Sequence, residues 1–185
     1  NFILLQCTIH RTDFCGTTNQ RLQNYTEAGW EALDEEEGET MTRIIRVGAA
    51  QSGPIQKDDD RHATVGRLIE LMRQARSESC DVVVFTELAL TTFFPRYYED
   101  NRSEMEPWFE AEMPNTNTQP LFDYAAENRI GFVLGYAELT PEGRHFNTSI
   151  LVDKSGKIVG RYRKVHLPGH TEIEPERQWQ HLEKR

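Results

Sequence analysis

A run of apolar residues that leads into a carboxylate constrains this chain most. Residues 82–85 read Val-Val-Val-Phe, a composition typical of a strand that is buried on both faces of an α/β sheet. Glu87 follows this predicted strand. Because the reactive groups of open α/β sheets gather at the carboxyl ends of strands, Glu87 is a candidate catalytic residue. A helix cap or a loop ion pair is the alternative interpretation of this carboxylate.

The residues before that strand predict a second strand and a helix. Ile44–Ala50 is apolar except for Arg46 and is followed by turn residues at 51–54. Acids at 58–60 favour a helix start, and apolar residues recur at helical spacing from Val65 to Ala75, so a helix is predicted to run to about Ser79. A β-α-β unit of this kind is parallel and right-handed, which predicts a layered α/β domain.

The residues after Glu87 extend this unit to a mixed sheet. A helix is predicted over 119–128, where Pro120 suits the first turn, and a shorter one around 104–112. Three further strands are predicted from apolar runs, the last two joined by a hairpin turn at 153–156; they cover 130–137, 146–152 and 157–162. We therefore predict a mixed sheet with helices on at least one face.

Charge and composition narrow the classes of partner. The net charge is −9 and no long basic run occurs, which argues against nucleic acid or an anionic membrane as the main partner. No apolar stretch approaches the roughly 20 residues that span a bilayer. The three cysteines form no C-x-x-C pair, so a reducing, cytoplasmic location is expected.

The first 41 residues differ in composition from the rest. They contain an acidic run at 34–39 and show no persistent strand or helix period. We predict that residues 1–41 are a leader outside the fold, that Met41 is the natural start, and that the folded domain covers 42–185. An acidic tail that binds a partner is the alternative.

A basic segment follows the last predicted strand and carries a second candidate, Lys164. An ammonium group near Glu87 could stabilise an oxyanion while the carboxylate moves protons. A solvated basic loop is the alternative. Cys80 lies at the other end of the strand that leads to Glu87, about 20 Å away at the usual rise per residue. We therefore predict that Cys80 is a small buried apolar residue and not the nucleophile.

The histidines are too unevenly spaced to predict a metal site. His166 and His170 are four residues apart, but Leu-Pro-Gly between them excludes one regular helix face. No metal and no other cofactor are predicted.

Four short motifs occur in order and resemble one known family. They are Phe-Thr-Glu-Leu at 85–88, Gly-Tyr-Ala-Glu at 135–138, Phe-Asn-Thr-Ser at 146–149 and Tyr-Arg-Lys-Val-His-Leu-Pro at 162–168. Together they resemble the first half of the carbon–nitrogen hydrolase (nitrilase) superfamily, over about residues 42–185. Residues 1–40 resemble nothing in it.

Three segments look closer to the N-carbamoyl-D-amino-acid amidohydrolases, or D-carbamoylases. These segments are 87–96, 149–160 and 180–185. The resemblance implies hydrolysis of N-carbamoyl-D-amino acids to D-amino acid, CO₂ and ammonia. Another amidase of the superfamily, such as a β-ureidopropionase-like enzyme, is one alternative. A truncated, non-catalytic interaction module is the other.

The resemblance also implies a fold and a set of catalytic residues. The fold is an α-β-β-α sandwich, of which this chain has the N-terminal half. Glu87 matches the family's general base, Lys164 its oxyanion-stabilising lysine, and Glu183 an auxiliary glutamate that orients the lysine and the substrate amine. The family's nucleophilic cysteine comes later than Arg185, so the fragment by itself is expected to be inactive.

Pocket residues and assembly follow from the same resemblance. His166 and His181 match histidines that support the pocket in carbamoylases. From the residues themselves, Phe93 is predicted to line the substrate pocket or to pack inward, because two neighbouring exposed phenylalanines would be unfavourable. Members of the family are usually homo-oligomers, so the full-length protein is expected to be one as well.

Overall fold

The computed structural model describes residues 2–10, 42–97 and 104–167. Within these residues the chain forms one six-stranded sheet, two α-helices and two short 3₁₀ helices. The strands are β1 (Phe2–His10), β2 (Thr42–Ala50), β3 (Val82–Val84), β4 (Gly131–Leu139), β5 (His145–Val152) and β6 (Ile158–Arg163). The helices are α1 (Arg61–Ser77) and α2 (Gln119–Asn128), and the 3₁₀ helices are Phe94–Arg96 and Glu106–Trp108.

The sheet follows the order of the chain. β2, β3 and β4 are parallel, whereas β5 and β6 continue from β4 as antiparallel neighbours. The two parallel pairings are those expected of β-α-β units, and the two antiparallel ones are hairpin connections. The predicted mixed sheet is therefore present, with strand bounds within a few residues of those predicted.

One strand was not predicted. β1 pairs antiparallel with β2, from Phe2 opposite Ala50 to His10 opposite Thr42. These nine residues form a strand although the sequence before residue 42 shows no persistent strand period. The free edge of β2 presents unpaired backbone groups, and these can pair with an extended segment that has no alternating pattern. That residues 1–41 are a leader stays a prediction.

Two of the three predicted helices are confirmed, and local signals set their ends. α1 begins after the acidic run, because the Asp60 carboxylate accepts a hydrogen bond from the Ala63 backbone N–H at 2.9 Å and caps the helix. α2 carries a proline in its first turn and ends at Arg129, which takes a left-handed φ of 52°. In place of the predicted helix around 104–112, the chain forms only the second 3₁₀ helix.

The helices cover one face of the sheet. Val83, Phe132 and Leu134 point to this face and are completely buried against residues of α1 and α2. On the other face, Val84 and Leu151 are 36% and 41% exposed. The prediction that β3 is buried on both faces is therefore wrong for the described residues, because both described helices pack on the same side.

An ion cluster around the buried Glu138 carboxylate fixes β5 and β6 at the end of the sheet. The Glu138 carboxylate accepts two hydrogen bonds from Arg163 at 2.8 Å, one from the Thr148 hydroxyl at 2.5 Å and one from Arg161 at 3.3 Å. Burial by itself raises the pKa of Glu138, but the hydrogen bonds and the two positive charges outweigh burial and hold this pKa below its ordinary value. Because the Arg163 side chain points to the helix side of the sheet, the side chain of the next residue, Lys164, points to the opposite side.

One-sided packing predicts unequal effects of the same substitution on the two faces. Leu134→Ala is expected to lower the free energy of unfolding by about 2–5 kcal/mol, because it opens a cavity in the core. Leu151→Ala, on the exposed face, is expected to change it by less than about 0.5 kcal/mol. Urea denaturation of the 185-residue protein measures both values. Equal losses would show that the second face is covered as well.

The Glu138 cluster predicts a dependence of stability on pH. Because the folded-state pKa of Glu138 is lowered, its stabilisation is present above the unfolded-state pKa of about 4.3 and is lost as the pH falls through the folded-state value. Glu138→Gln is expected to lower the free energy of unfolding at neutral pH by about 1–3 kcal/mol. It is also expected to flatten the decline in stability at acidic pH. Glu127→Gln, at an exposed position on α2, is the control, and an unchanged acid slope in the Glu138 variant would contradict this assignment.

Candidate active site

The loop that follows β3 carries Glu87 along the edge of β4. The Phe85 N–H donates to the Val133 carbonyl at 3.0 Å, and the Ala89 N–H donates to the Gly135 carbonyl at 2.8 Å. Between these two hydrogen bonds the chain bulges, and Leu88 takes a left-handed φ of 51°. Glu87 lies at the top of this bulge, beyond the carboxyl end of β3, where the sequence predicts it.

Gly135 allows the close approach of this loop. A β-carbon at position 135 would lie 3.1 Å from both the Glu87 α-carbon and the Leu88 nitrogen, and 3.2 Å from the Thr86 carbonyl oxygen. All three are backbone atoms, so a side chain here could be accommodated only by moving the loop. The glycine in the middle of β4 therefore sets the position of Glu87.

Glu87 and Lys164 form the ion pair that the sequence predicts. The Lys164 Nζ lies 2.6 Å from Glu87 Oε1, although 77 residues separate the two in the chain. The Lys164 side chain is 34% exposed and the Glu87 side chain is 42% exposed, so the pair borders an open space. A third residue, Asn147 on β5, donates from Nδ2 to the same carboxylate oxygen at 2.6 Å.

These three residues line a groove of about 450 Å³ on the face of the sheet that the helices leave open. Its floor is formed by strands β3 to β5 and its rim by the residues that follow β3 and end β6. The lining residues are Val84, Phe85, Thr86, Glu87, Val133, Gly135, Asn147, Ser149, Tyr162, Lys164 and His166.

The other predicted site residues fall into three groups. His166 lines the groove, as a pocket residue should. Phe93 is 44% exposed and does not line this groove, so its role as a pocket residue stays a prediction. Glu183 and His181 lie outside the described residues.

Sequence reasoning did not assign a role to Asn147 or Gly135. Both lie in motifs that were recognised, but neither motif indicates which of its residues faces the groove. One signal was available in the sequence. Asn147 begins a polar run, Asn-Thr-Ser, in the middle of an otherwise apolar predicted strand, and polar residues there need partners if they are buried.

Chemically, the arrangement combines a base with an electrophilic group. The carboxylate can accept a proton, and the ammonium group can stabilise a developing negative charge.

Cys80 does not supply the nucleophile: it lies just before β3, at the far end from Glu87, and is 2% exposed. Burial raises the pKa of its thiol, as do the charges of Glu78 and Asp81. The prediction that Cys80 is a buried apolar residue is confirmed.

The described part of the chain holds neither a metal-ligand cluster nor a membrane-spanning helix. No group of three or more His, Cys, Asp or Glu residues is arranged there to hold a metal ion. No helix in residues 42–97 or 104–167 is long and apolar enough to cross a membrane.

Relatives of this chain include several enzymes of different specificity. It is 28% identical over 138 residues to the nitrilase of Talaromyces marneffei, covering 71% of this chain and 42% of the relative. It is 25% identical over 136 residues to the glutamine-dependent NAD(+) synthetase of Acinetobacter baylyi, covering 73% and 23% respectively. It is 24% identical over 103 residues to the human omega-amidase NIT2, covering 56% and 34%. The chain thus spans less than half the length of these relatives.

Solved structures show the same fold. The carbon–nitrogen hydrolase from Helicobacter pylori G27 superposes with a TM-score of 0.55 at 22% identity, over 67% of this chain and 40% of that one. An N-terminal amidase gives 0.57 at 20% identity, over 76% and 31%. Nit3 of Saccharomyces cerevisiae, a member of the nitrilase superfamily, gives 0.54 at 22% identity, over 71% and 46%. The predicted fold class, a nitrilase-type α/β fold, is confirmed.

The sequence profile of one family covers most of the chain. It is the carbon–nitrogen hydrolase profile, and it matches residues 46–184. The matched range begins within β2 and includes Glu87, Asn147 and Lys164, the three residues that the fold brings together. The chain belongs to the carbon–nitrogen hydrolase family.

Proposed function

We propose that Glu87 and Lys164 form part of a catalytic site that hydrolyses a non-peptide carbon–nitrogen bond. One observation carries the proposal: the carboxylate and the ammonium group lie 2.6 Å apart at the edge of an open groove. They follow different strands, β3 and β6, in a chain that belongs to the carbon–nitrogen hydrolase family. A proton acceptor beside an oxyanion-stabilising cation is the pair that such a hydrolysis needs.

The proposed reaction needs a nucleophile, and Cys80, which is buried before β3 at the end far from Glu87, does not supply it. We assign it to a cysteine in a part of the protein outside residues 1–185. Glu87 accepts the thiol proton as the sulfur attacks the carbonyl carbon, and Lys164 stabilises the negative oxygen. The amine leaves with a proton from Glu87. Water then attacks the acyl-enzyme while Glu87 takes a proton from it, and the C–S bond breaks as the sulfur regains that proton from Glu87.

Three further residues have supporting roles in this proposal. Glu183 orients Lys164 and the substrate amine. His166, which lines the groove, and His181 support the pocket walls. These roles are the ones that the resemblance to the superfamily and to its carbamoylases implies.

For the substrate, we propose N-carbamoyl-D-amino acids, hydrolysed to D-amino acid, CO₂ and ammonia. Support comes from the three segments that resemble the D-carbamoylases, two of which adjoin the groove: 87–96 begins at Glu87, and 149–160 begins at Ser149. A second candidate substrate class is the simple amides, because the chain is similar to omega-amidases. The test described next also includes another substrate of the superfamily, β-ureidopropionate.

We also propose that the full-length protein assembles into a homo-oligomer in the cytoplasm.

Ammonia release from a substrate panel tests this assignment. The panel contains N-carbamoyl-D-amino acids, their L-enantiomers, β-ureidopropionate, dicarboxylic acid monoamides and nitriles, offered to a protein that continues through the cysteine. We expect the highest kcat/KM for the N-carbamoyl-D-amino acids. Preference for a monoamide or a nitrile would overturn the substrate but not the reaction class. Ammonia release by residues 1–185 alone would overturn the cysteine assignment.

Substitution of the ion pair tests the reaction class. With the best substrate of the panel, Glu87→Gln is expected to lower kcat by about 10²–10⁴-fold, because the base is lost. Lys164→Met is expected to lower it by about 10²–10³-fold, because the oxyanion loses its cation. Lys154→Met, at an exposed position in the β5–β6 turn, is the matched control. Full activity in both ion-pair variants would refute a catalytic role, and a non-catalytic interaction module would then be favoured.

A further inference from the structure

Asn147 connects the two charged residues of the site through two different groups. Its side chain donates from Nδ2 to Glu87 Oε1 at 2.6 Å. Its backbone carbonyl accepts a hydrogen bond from the Lys164 N–H at 2.8 Å. One residue of β5 therefore fixes the carboxylate with its side chain and the start of the lysine segment with its backbone.

The two hydrogen bonds to Glu87 go to the same oxygen. Lys164 Nζ and Asn147 Nδ2 each lie 2.6 Å from Oε1, and among the described residues no side chain or backbone group donates to Oε2. A carboxylate oxygen that accepts two hydrogen bonds, one of them from a cation, has most of its lone-pair density engaged. The more available acceptor for a new proton is then Oε2.

Asn147 is more deeply buried than the pair it contacts. It is 7% exposed, whereas Glu87 and Lys164 are 42% and 34% exposed. Its neighbour Phe146 is 1% exposed on the helix side of the sheet. A buried carboxamide at this position is unfavourable unless its hydrogen bonds are made. The contact with Glu87 explains why β5 carries a polar residue at this position.

We propose that Asn147 is a positioning residue that holds Glu87 by one carboxylate oxygen, so that the other oxygen acts as the proton acceptor. The proposal rests on the proposed function for the reaction, but the contact itself can be tested without turnover. Asn147 is uncharged, so it orders the carboxylate without competing for the proton. Lys164 alone, on a long flexible side chain, would fix the distance to Glu87 but not its orientation.

Other titratable groups face the same groove. Their protonation contributes to any pH dependence that is measured there. From the loop after β3 the group is Glu87 itself, and from β6 and the residues after it the groups are Tyr162, Lys164 and His166. From β4 and β5 the lining residues are Val133, Gly135, Asn147 and Ser149, none of which titrates. A substitution at position 147 therefore changes the Glu87 surroundings without removing another titrating group.

The first experiment measures the pKa of Glu87 in the 185-residue protein by NMR titration of ¹³C-labelled glutamate side chains, assigned with Glu87→Gln. Asn147→Asp keeps the shape of the side chain and places a carboxyl against Oε1. It is expected to raise the apparent pKa at Glu87 by about one unit or more, because two carboxylates repel. Asn147→Leu removes the donor at similar size and is also expected to raise this pKa, since the charged form loses a hydrogen bond.

The second experiment measures turnover in a protein that continues through the cysteine. Both Asn147 variants are expected to lower kcat by about 10–150-fold, the equivalent of one hydrogen bond to a charged group, with KM changed less than about twofold. The acid limb of the kcat profile is expected to move to higher pH along with the Glu87 pKa. A residue with a merely structural role would lower the melting temperature and leave the pH profile in place.

Asn128→Asp is the matched control. Asn128 lies at the end of α2, donates from Nδ2 to the Tyr124 carbonyl at 3.0 Å and is half-buried, so the same change removes one hydrogen bond away from the groove. It is expected to alter stability without altering the Glu87 titration or the pH profile.

The outcomes separate the two proposals. If Glu87→Gln keeps full activity, the proposed function fails, whereas a raised Glu87 pKa in Asn147→Asp still supports the positioning contact. If Glu87→Gln is inactive but both Asn147 variants leave the Glu87 pKa and kcat unchanged, the positioning role fails alone. If the Asn147→Leu variant does not fold, the isosteric Asn147→Asp variant tests the positioning role by itself.

Discussion

The contact between the loop after β3 and Gly135 of β4 is the constraint on which the site depends. Without a side chain at position 135, the backbone of residues 86–88 lies against the strand, and hydrogen bonds to β4 hold it at both ends. This contact carries Glu87 over the strand to the open face. A carboxylate on a long free loop would have to lose conformational entropy at each turnover, whereas one held by its backbone is already in place.

Alternation along the strands lets one sheet serve two purposes. The side chains that face α1 and α2 form the core, and those that face away line the groove. The end of β6 shows this most directly. Arg163 turns to the helix side and binds the buried Glu138, and the next residue, Lys164, reaches Glu87 on the other side. Because successive residues point to opposite faces, the ion cluster that stabilises the β5–β6 pair also determines where the lysine ammonium lies.

Elements with strong local signals were predictable from the sequence, and contacts between distant residues mostly were not. The helix over 119–128 has a proline start and a clear apolar side, and it forms as predicted. The pairing of Glu87 with Lys164 was implied by the family resemblance, because the residues alone left a solvated basic loop as an alternative for Lys164. β1 was missed because an edge strand can form by backbone pairing alone, without a periodic pattern. Asn147 and Gly135 were missed because their importance lies in a partner on another strand, which a single sequence does not indicate.

The exposure of the ion pair limits what the described residues can do by themselves. Two charges about 3 Å apart interact weakly in water but many times more strongly where the effective dielectric constant is low. With both side chains at least one third exposed, Lys164 would stabilise an oxyanion against competing water. The same open face carries apolar side chains, Val84 and Leu151 among them, which are better suited to contact with protein than with solvent. A protein layer packed on this face would cover the apolar side chains and also exclude water from the groove. The same burial would then stabilise the sheet and strengthen the interaction of Lys164 with an oxyanion.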